Sequence, residues 1–269
     1  MTPAHLAALD IVLGSTLARF QMCPPPLFGE IIQINHLRLR ATKPTHHHPD
    51  ANIEPGSLAH EAHAILDRIN AFSPAYWAAA KPRARDDWAL VGRIYHAAVA
   101  LYWAAALQSV SVLVPPTAAL RAECAARTRL LRGLLARGVG CLRTRQGMLW
   151  PLVVLGVLAA VYDEGGAGGG DGDGHEGHVD VLGDGCGCGC GCGGGGAGSP
   201  GGIRDFVAAQ LPVLARHGGT YMPLVAKAVL EKFWASGETS WDACFDRPYA
   251  FVMMIAVDTS RIVERERLG

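Results

Sequence analysis

Four of the chain's eight cysteines fall in one short run, and their chemistry is that of a soft-metal site. Cys186, Cys188, Cys190 and Cys192 alternate with glycine in the segment GDGCGCGCGCGGGG. Thiolates are the ligands that Cu(I) and zinc prefer. Structural zinc sites, however, space their cysteines C-x₂₋₄-C, and a strict C-x-C repeat with only glycine between looks like a simple-sequence expansion. The spacing therefore favours an effect of composition over a metal centre.

The same glycine-rich stretch contains partial matches to two other ligand loops. Read as a calcium loop from Asp171, the segment DGDGHEGHVDVL has Glu176 where glycine is required and Leu182 where a bidentate glutamate is required. Read as a nucleotide loop, GCGGGG fits G-x-G-x-x-G only because any glycine run does, and no strand precedes it. We therefore expect neither a calcium nor a nucleotide site here.

Two histidine groups were tested in the same way. HEAH, His60–His63, is one residue short of the H-E-x-x-H zinc motif, so the spacing predicts a histidine pair that is either on a helix surface or partly buried. HHH, His46–His48, lies in a proline-flanked loop and is predicted to be solvated. The sequence contains no G-x-S-x-G elbow, Walker loop or catalytic Cys/His signature. We therefore predict no catalytic, cofactor-binding or metal-ligating residues, and no enzyme.

The composition indicates a large hydrophobic core and no strong electrostatic field from net charge. Half of the 269 residues are hydrophobic, and the 18% that are charged balance to a formal net charge of +0. Such a chain is not steered as a whole towards nucleic acid or an anionic membrane. The first residues lack a basic region, so no signal peptide is expected. The other cysteines are far apart, which favours reduced thiols in an intracellular protein. They are Cys23, Cys124, Cys141 and Cys244.

Apolar residues recur at helical spacing nearly everywhere, which predicts an all-α protein. The predicted helices are Ala4–Phe20, Leu27–Arg40 after the PPP stop, one capped by Ser57, one starting at Ser73–Pro74, Arg85–Val114, one from the cap Thr117 to Gly138, Ile203–His217 and Met222–Ser236. The last two are joined by GGTYMP and are predicted to form a helical hairpin. The segment YAFVMMIAV resembles a strand but has no partner. Ala97–Val114 and Met148–Tyr162 are apolar but interrupted or short for a membrane span, so buried helices are predicted.

The helix that follows Thr117 has two distinct faces. One is leucine-rich, with Leu120, Leu131, Leu134 and Leu135. The other carries Arg121, Arg129 and Arg132. Arg127 falls among the leucines, where a guanidinium needs a partner or an exit to solvent. Seven arginines between Arg121 and Arg145 make a notable basic concentration. A solvated helix face is its simpler interpretation, and a surface for an acidic partner is the sharper one.

Glu164–Gly202 differs in kind from the rest of the chain. It is mostly glycine with aspartate, cysteine and histidine, and it has almost nothing apolar to bury. Such a segment cannot offset the entropy of ordering itself, so we predict a disordered insertion. The predicted organisation is a helical regulatory domain in two parts, residues 1–163 and 203–269, interrupted by the low-complexity insertion 164–202.

Four segments outside the insertion carry a family resemblance. They are ILDRINAFSPAYWA (Ile65–Ala78), DDWALVGRIYHAAVALYWAAALQS (Asp86–Ser109), MLWPLVVLGVLAA (Met148–Ala160) and GGTYMPLVAKAVLEKFWASGETSWDACFDRPYAF (Gly218–Phe251). In this order they resemble the fungal-specific transcription factor domain of Zn₂Cys₆ regulators, in the branch that includes the acriflavine-sensitivity control proteins. The most specific pieces are the W-P-L-V-V segment and the ending from Phe233 to Phe251. The resemblance covers nearly the whole chain outside the insertion.

The same segments have the composition of packed structure. Trp88, Trp150, Trp234 and Trp241 are predicted to bury large areas, and each indole N–H then needs an acceptor. Pro151 suits the first turn of a helix. In WDACFDRPYAF, Asp242 and Asp246 flank an apolar pair with Arg247 in reach of either, which indicates a terminal lock on the core.

The resemblance implies a function that the local motifs do not. Members of this family bind DNA through an N-terminal cluster of six cysteines and two zinc ions, and no stretch of this chain has that spacing. The implied function is the regulatory domain of a nuclear RNA polymerase II transcription regulator, without its own zinc cluster or specific DNA binding. Protein partners, a small-molecule effector or a homodimer are compatible with it, and no membrane is expected. A fragment, a truncated gene product and a cluster-less member all stay open.

A second function of a different class also stays open. The chain could instead be a helical scaffold or small-ligand-binding protein that kept the fold without a promoter role. The two differ in whether a zinc cluster and basic linker are encoded upstream of Met1.

Overall fold

Helices make up all of the regular structure in the residues that can be described. The structure, a computed structural model, describes residues 22–42, 55–110, 113–163 and 201–245. They form nine α-helices and one 3₁₀-helix, which confirms the all-α prediction for this part of the chain. The helices are α1 Pro25–Thr42, α2 Pro55–Ala71, α3 Pro74–Ala79, α4 Arg85–Gln108, α5 Ala118–Gly140, the 3₁₀-helix Arg145–Met148, α6 Leu149–Tyr162, α7 Ile203–Gly218, α8 Met222–Ser236 and α9 Trp241–Cys244.

Several predictions fall outside these residues. The helix Ala4–Phe20, the HHH loop, the segment YAFVMMIAV and all of the predicted insertion except Gly201 and Gly202 lie there.

Two helices begin at prolines that were predicted to end a helix or to lie before one. Helix α1 starts inside the PPP run at Pro25, and α2 starts at Pro55 rather than after Ser57. A proline is tolerated in the first turn because the N–H that it lacks would have no helical partner there. The predicted caps at Ser73 and Thr117 are confirmed, because each hydroxyl accepts a hydrogen bond from the backbone N–H three residues later, at 3.2 and 3.1 Å.

Helix α4 ends earlier than predicted. It stops at Gln108, whereas the apolar pattern runs on to Val114. The Ser109 hydroxyl donates to the carbonyl of Ala106 at 2.8 Å, a local bond that competes with helix continuation. Leu113 and Val114 are nevertheless buried in the core, although neither is helical.

Helices α4 and α6 form the centre of the core. Every residue from 150 to 159 is buried, and Pro151 lies in the first turn of α6 as predicted. By length and composition α4 and the 145–162 segment could each cross a membrane, but 83% and 61% of their most apolar windows are buried inside the fold. These helices are therefore covered by protein, as the sequence analysis predicted, and helices from both sides of residues 164–200 share the same core.

Aromatic rings join α4, α6 and α9. Tyr95 stacks on Trp150 with ring centroids 6.1 Å apart, and Tyr102 meets Trp150 edge-on at 5.7 Å. Trp241 meets Tyr102 edge-on at 4.7 Å and contacts Phe245 at 4.9 Å. Such pairs contribute beyond the area that they bury. The short α9 is thus anchored to the centre of the molecule.

The tryptophan predictions hold in part. Trp150 and Trp241 are buried, whereas Trp88 and Trp234 are half-buried. The Trp234 indole N–H donates to the carbonyl of Gly156 at 2.8 Å, which is the acceptor that burial demands. The Trp150 indole N–H is buried without an acceptor among the described residues, contrary to expectation. Its ring lies between two tyrosine rings, where packing rather than hydrogen bonding fixes it.

The described part of the predicted terminal lock contains an ion pair that the sequence did not indicate. Asp242 pairs with Arg38 of α1, so the start of α9 is tied to the other end of the chain. Asp246 and Arg247 lie outside the described residues. Distant parts of the chain supply this ion pair, and for that reason sequence spacing could not identify it.

Candidate functional site

Metal and catalytic chemistry was sought first in the described ranges. No group of three or more histidine, cysteine, aspartate or glutamate side chains there could hold a metal ion. His60 and His63 are both exposed on α2, which confirms the surface alternative of the two predicted, and His63 Nδ1 lies 2.8 Å from the carbonyl oxygen of Ala59. The Cys186–Cys192 run lies outside the described residues.

The four separate cysteines are packing residues. Cys23, Cys124, Cys141 and Cys244 are all buried. Burial raises the pKa of the Cys23 thiol well above its ordinary value, and burial also raises the pKa of Cys124. The thiolate is the reactive form of cysteine, so a raised pKa makes these two thiols poor nucleophiles at neutral pH.

The arginines of α5 do not form the single face that their spacing predicts. Arg121 and Arg129 are exposed, but Arg132 turns towards α7, where it donates to the carbonyl of Gly201 at 2.8 Å and lies over the Phe206 ring. Arg127 has the partners that its position among leucines requires. They are Glu123, at 2.6 and 3.0 Å, and Asn70, at 3.0 Å.

A groove at one end of the molecule is the candidate site. It lies between the turn that follows α5 and the turn that joins α7 to α8, and its volume is about 460 Å³. Residues from both turns and from the adjoining helices line it. They are Leu142, Arg145, Gln146, Leu149, Leu214, His217, Gly218, Thr220 and Pro223.

The first wall of the groove is built by the end of α5. Thr144 donates its hydroxyl hydrogen to the carbonyl of Gly138 at 2.7 Å. The Arg145 guanidinium donates to the carbonyls of Val139 at 2.6 Å and Gly140 at 3.2 Å. These bonds satisfy the last carbonyls of a helix, which otherwise lack partners. They also fix the Arg145 side chain in the wall.

The second wall depends on a left-handed residue. Helix α7 is followed by Gly219 with φ +60°, a conformation that glycine adopts without steric cost. Thr220 follows, and its hydroxyl accepts a hydrogen bond from the Met222 N–H at 3.3 Å. The chain therefore reverses tightly into α8, as the predicted helical hairpin requires, and Pro223 at the start of α8 faces the groove.

The lining combines an apolar floor with a few polar groups. Leu149, Leu214 and Pro223 are apolar and half-buried or buried, and Leu142 at the rim is 67% exposed. The polar residues are Arg145, Gln146, His217 and Thr220, and no lining residue has a carboxylate. A concave apolar surface with few polar groups is typical of a small-molecule site.

Sequence reasoning missed this groove because its two walls are far apart in the chain. Residues 142–149 and 214–223 meet only after the helices pack. The turn GGTYMP was recognised only as the link of a hairpin. The structure adds one feature that the sequence could not show. Large apolar side chains next to lining residues along the chain are exposed, with Tyr221 at 72% and Leu224 at 47%.

Comparison with known proteins gives one informative match. No family model matches the chain, and no solved structure matches it. The chain is 40% identical over 242 residues to the "Phomenoic acid biosynthesis cluster-specific transcriptional regulator" of Leptosphaeria maculans. That alignment covers 90% of this chain and 38% of the relative. The chain is homologous to a fungal transcriptional regulator.

This homology supports the coarser part of the sequence prediction. Similarity to a transcriptional regulator agrees with the resemblance in the four quoted segments. The chain spans 38% of the relative's length, so the relative contains much that has no counterpart here. The regulatory-domain assignment, the Zn₂Cys₆ family and the missing zinc cluster stay predictions.

Proposed function

We propose that this chain is the helical regulatory domain of a fungal RNA polymerase II transcription regulator that acts in the nucleus. The observation that carries the proposal is the 40% identity to a transcriptional regulator across 90% of the chain. In this role the domain modulates transcription through a protein partner or a small-molecule signal. A separate module reads DNA, and this chain supplies neither zinc cluster nor catalytic residue.

The physical character of the chain supports such a role. Its formal net charge is +0, so it lacks the field that draws DNA-binding domains to phosphates. Two arginines that might reach DNA are instead engaged within the fold, Arg132 with Gly201 and Arg127 with Glu123. The groove supplies a place where a small molecule could act on the domain.

A tethered reporter tests the proposal. The chain is fused to a DNA-binding module of known site, and transcription of a reporter that carries this site is compared with that for the module alone. We expect the fusion to change reporter transcription. Leu155→Asp, which disrupts the core, should return transcription to the level of the module, and the exposed substitution Leu130→Asp should not.

The opposite result would favour the second function. If the fusion accumulates in the nucleus and leaves the reporter unchanged, a helical scaffold or ligand-binding protein without a promoter role explains the chain better.

A further inference from the structure

We propose that the groove binds a small amphiphilic anion, with the carboxylate of the ligand beside Arg145 and its apolar body over Leu142, Leu149 and Leu214. This deepens the proposed function, because it names the class of signal that the regulatory domain would receive. The binding itself depends only on the groove.

The charge of the groove selects an anion. Arg145 contributes a permanent positive charge, and none of the nine lining residues carries a carboxylate. Nearby Arg143 is different, because it pairs with Asp87 at 2.6 Å. No carboxylate pairs with Arg145 in the described ranges, so its charge is compensated only by carbonyl dipoles. A negative ligand group placed there gains a charge-assisted hydrogen bond.

The donors of Arg145 are arranged for such a ligand. A guanidinium has five N–H groups. Bonds to Val139 and Gly140 use the N–H of Nε and one N–H of Nη2, and Nη1 is buried without an acceptor among the described residues, so the second N–H of Nη2 is the one left for a ligand. Those bonds hold the side chain in one orientation before any ligand arrives. Little side-chain entropy is then lost on binding, which favours affinity.

The floor and rim select an apolar body. Leu142 is 67% exposed although it lines the groove. Covering such surface stabilises a complex by about 25 cal/mol per Å² of apolar area. The floor beneath consists of Leu149, Leu214 and Pro223. An ionic ligand without an apolar body would leave this surface in water.

The size of the groove favours a small molecule. Its volume of about 460 Å³ lies within the range of small-molecule sites, roughly 300–1,000 Å³. A single arginine beside neutral polar groups suits one carboxylate rather than a multiply charged phosphate.

The test is a calorimetric titration of the full chain with sodium decanoate below its micelle concentration. Decanol of the same chain length and decyltrimethylammonium are titrated in parallel. We expect saturable binding of decanoate. Decanol and decyltrimethylammonium should bind at least about tenfold more weakly, because each lacks the charge-assisted hydrogen bond that the carboxylate makes. No saturable binding of decanoate, or equal binding of all three probes, would overturn the proposal.

Two matched variants locate the site. Leu142→Asp places a carboxylate at the groove, and Leu130→Asp places one at an exposed leucine of α5 that does not line it. Both positions are exposed, so both variants should unfold as the parent does. Decanoate affinity should fall at least about tenfold only for Leu142→Asp. Equal affinities for the two variants would place decanoate elsewhere and contradict the proposal.

The titration and the tethered reporter fail separately. Binding of decanoate with an unchanged reporter would leave the site intact and refute the transcriptional role. A responsive reporter without decanoate binding would support the transcriptional role and refute the proposed site.

Discussion

The indole N–H of Trp234 donates to the carbonyl oxygen of Gly156 at 2.8 Å, which ties α8 to the buried helix α6. The approach is close because Gly156 has no side chain. A Cβ built there would lie 2.6 Å from Leu230 Cδ1 and 3.3 Å from Val207 Cγ1. The glycine thus sets the distance between the central helix and the C-terminal hairpin.

Gly156→Ala should therefore destabilise the protein. Overpacking a filled core costs about 1–3 kcal/mol, more than the roughly 0.5–1 kcal/mol that alanine gains over glycine within a helix. Gly133→Ala is the matched control, because it lies in α5 with no atom within 4 Å of the added Cβ. Urea unfolding should show a loss for the first variant and a gain for the second. Equal gains in both would mean that α6 and α8 are not in close contact.

Replacing residues 164–200 with a short Gly/Ser linker should leave the melting temperature nearly unchanged. The Asp163 carboxylate already accepts hydrogen bonds from the N–H groups of Ile203 at 2.8 Å and Arg204 at 3.2 Å. The end of α6 and the start of α7 therefore meet without the intervening segment, and a shorter loop closes at lower entropic cost. A fall of many degrees would show that residues 164–200 are structural.

The junction itself supplies a control for that deletion. Asp163→Ala removes the acceptor for two N–H groups at the start of α7, so it should cost about 1 kcal/mol, as for the loss of a helix cap. The loss of unfolding free energy caused by Asp163→Ala should be the same in the parent and in the shortened chain.

Two core substitutions test the assignment of the interior. Leu155 is fully buried in α6, and Leu155→Asp would bury an unpaired carboxylate and should abolish folding. Trp241 is 4% exposed, and Trp241→Ala should cost about 3–5 kcal/mol by leaving a cavity beside Tyr102. Circular dichroism and thermal melting provide the readout. Normal melting of either variant would mean that the core is misassigned.

Stability should fall in mild acid because of His96. Burial, and then the charge of Arg127, lower the pKa of His96 below its ordinary value. The unfolded chain then binds the proton more readily, so the His96 contribution is complete above about pH 6.5 and decreases as pH falls below it. The free energy of unfolding should drop between about pH 7 and pH 5.5, above the range where carboxylates titrate.

His96→Gln should reduce that pH dependence. If the parent and the variant lose the same free energy between these pH values, His96 is not the group responsible.

Sequence patterns predicted the features that depend on residues close together in the chain, such as helix caps and helix faces. Ser73 and Thr117 cap helices because each hydroxyl reaches an N–H three residues away, and that geometry is readable from sequence. Leu131, Leu134 and Leu135 share a buried face as their spacing predicts, with Leu120 half-buried beside them. The start of α1 at Pro25 was missed because a proline can either stop a helix or begin one.

Contacts between residues far apart in the chain could not be predicted from sequence patterns. The pair Arg38–Asp242 joins residues at opposite ends of the chain, and Arg132 leaves its predicted face to reach Gly201. The groove likewise exists only because α7 packs beside the end of α5. The sequence placed Arg145 only at the end of a basic concentration, since an arginine is recognisable as unpaired by carboxylates only after its surroundings are known.

The central claim is that this chain acts on transcription without reading DNA itself. Specific readout needs a rigid element that carries side chains into a groove, and phosphate contacts that set its register. Arg121 and Arg129 are exposed on α5, and Arg132 is turned away from them. No asparagine or glutamine lies within α5 to read base edges.

The decisive measurement is a fluorescence-anisotropy titration of the purified chain into labelled duplexes of varied sequence, at about 150 mM salt, where the screening length is about 8 Å. We predict weak binding that does not depend on sequence. Sub-micromolar binding that selects one sequence, and that disappears when Arg121, Arg129 and Arg132 are replaced by alanine, would contradict the claim.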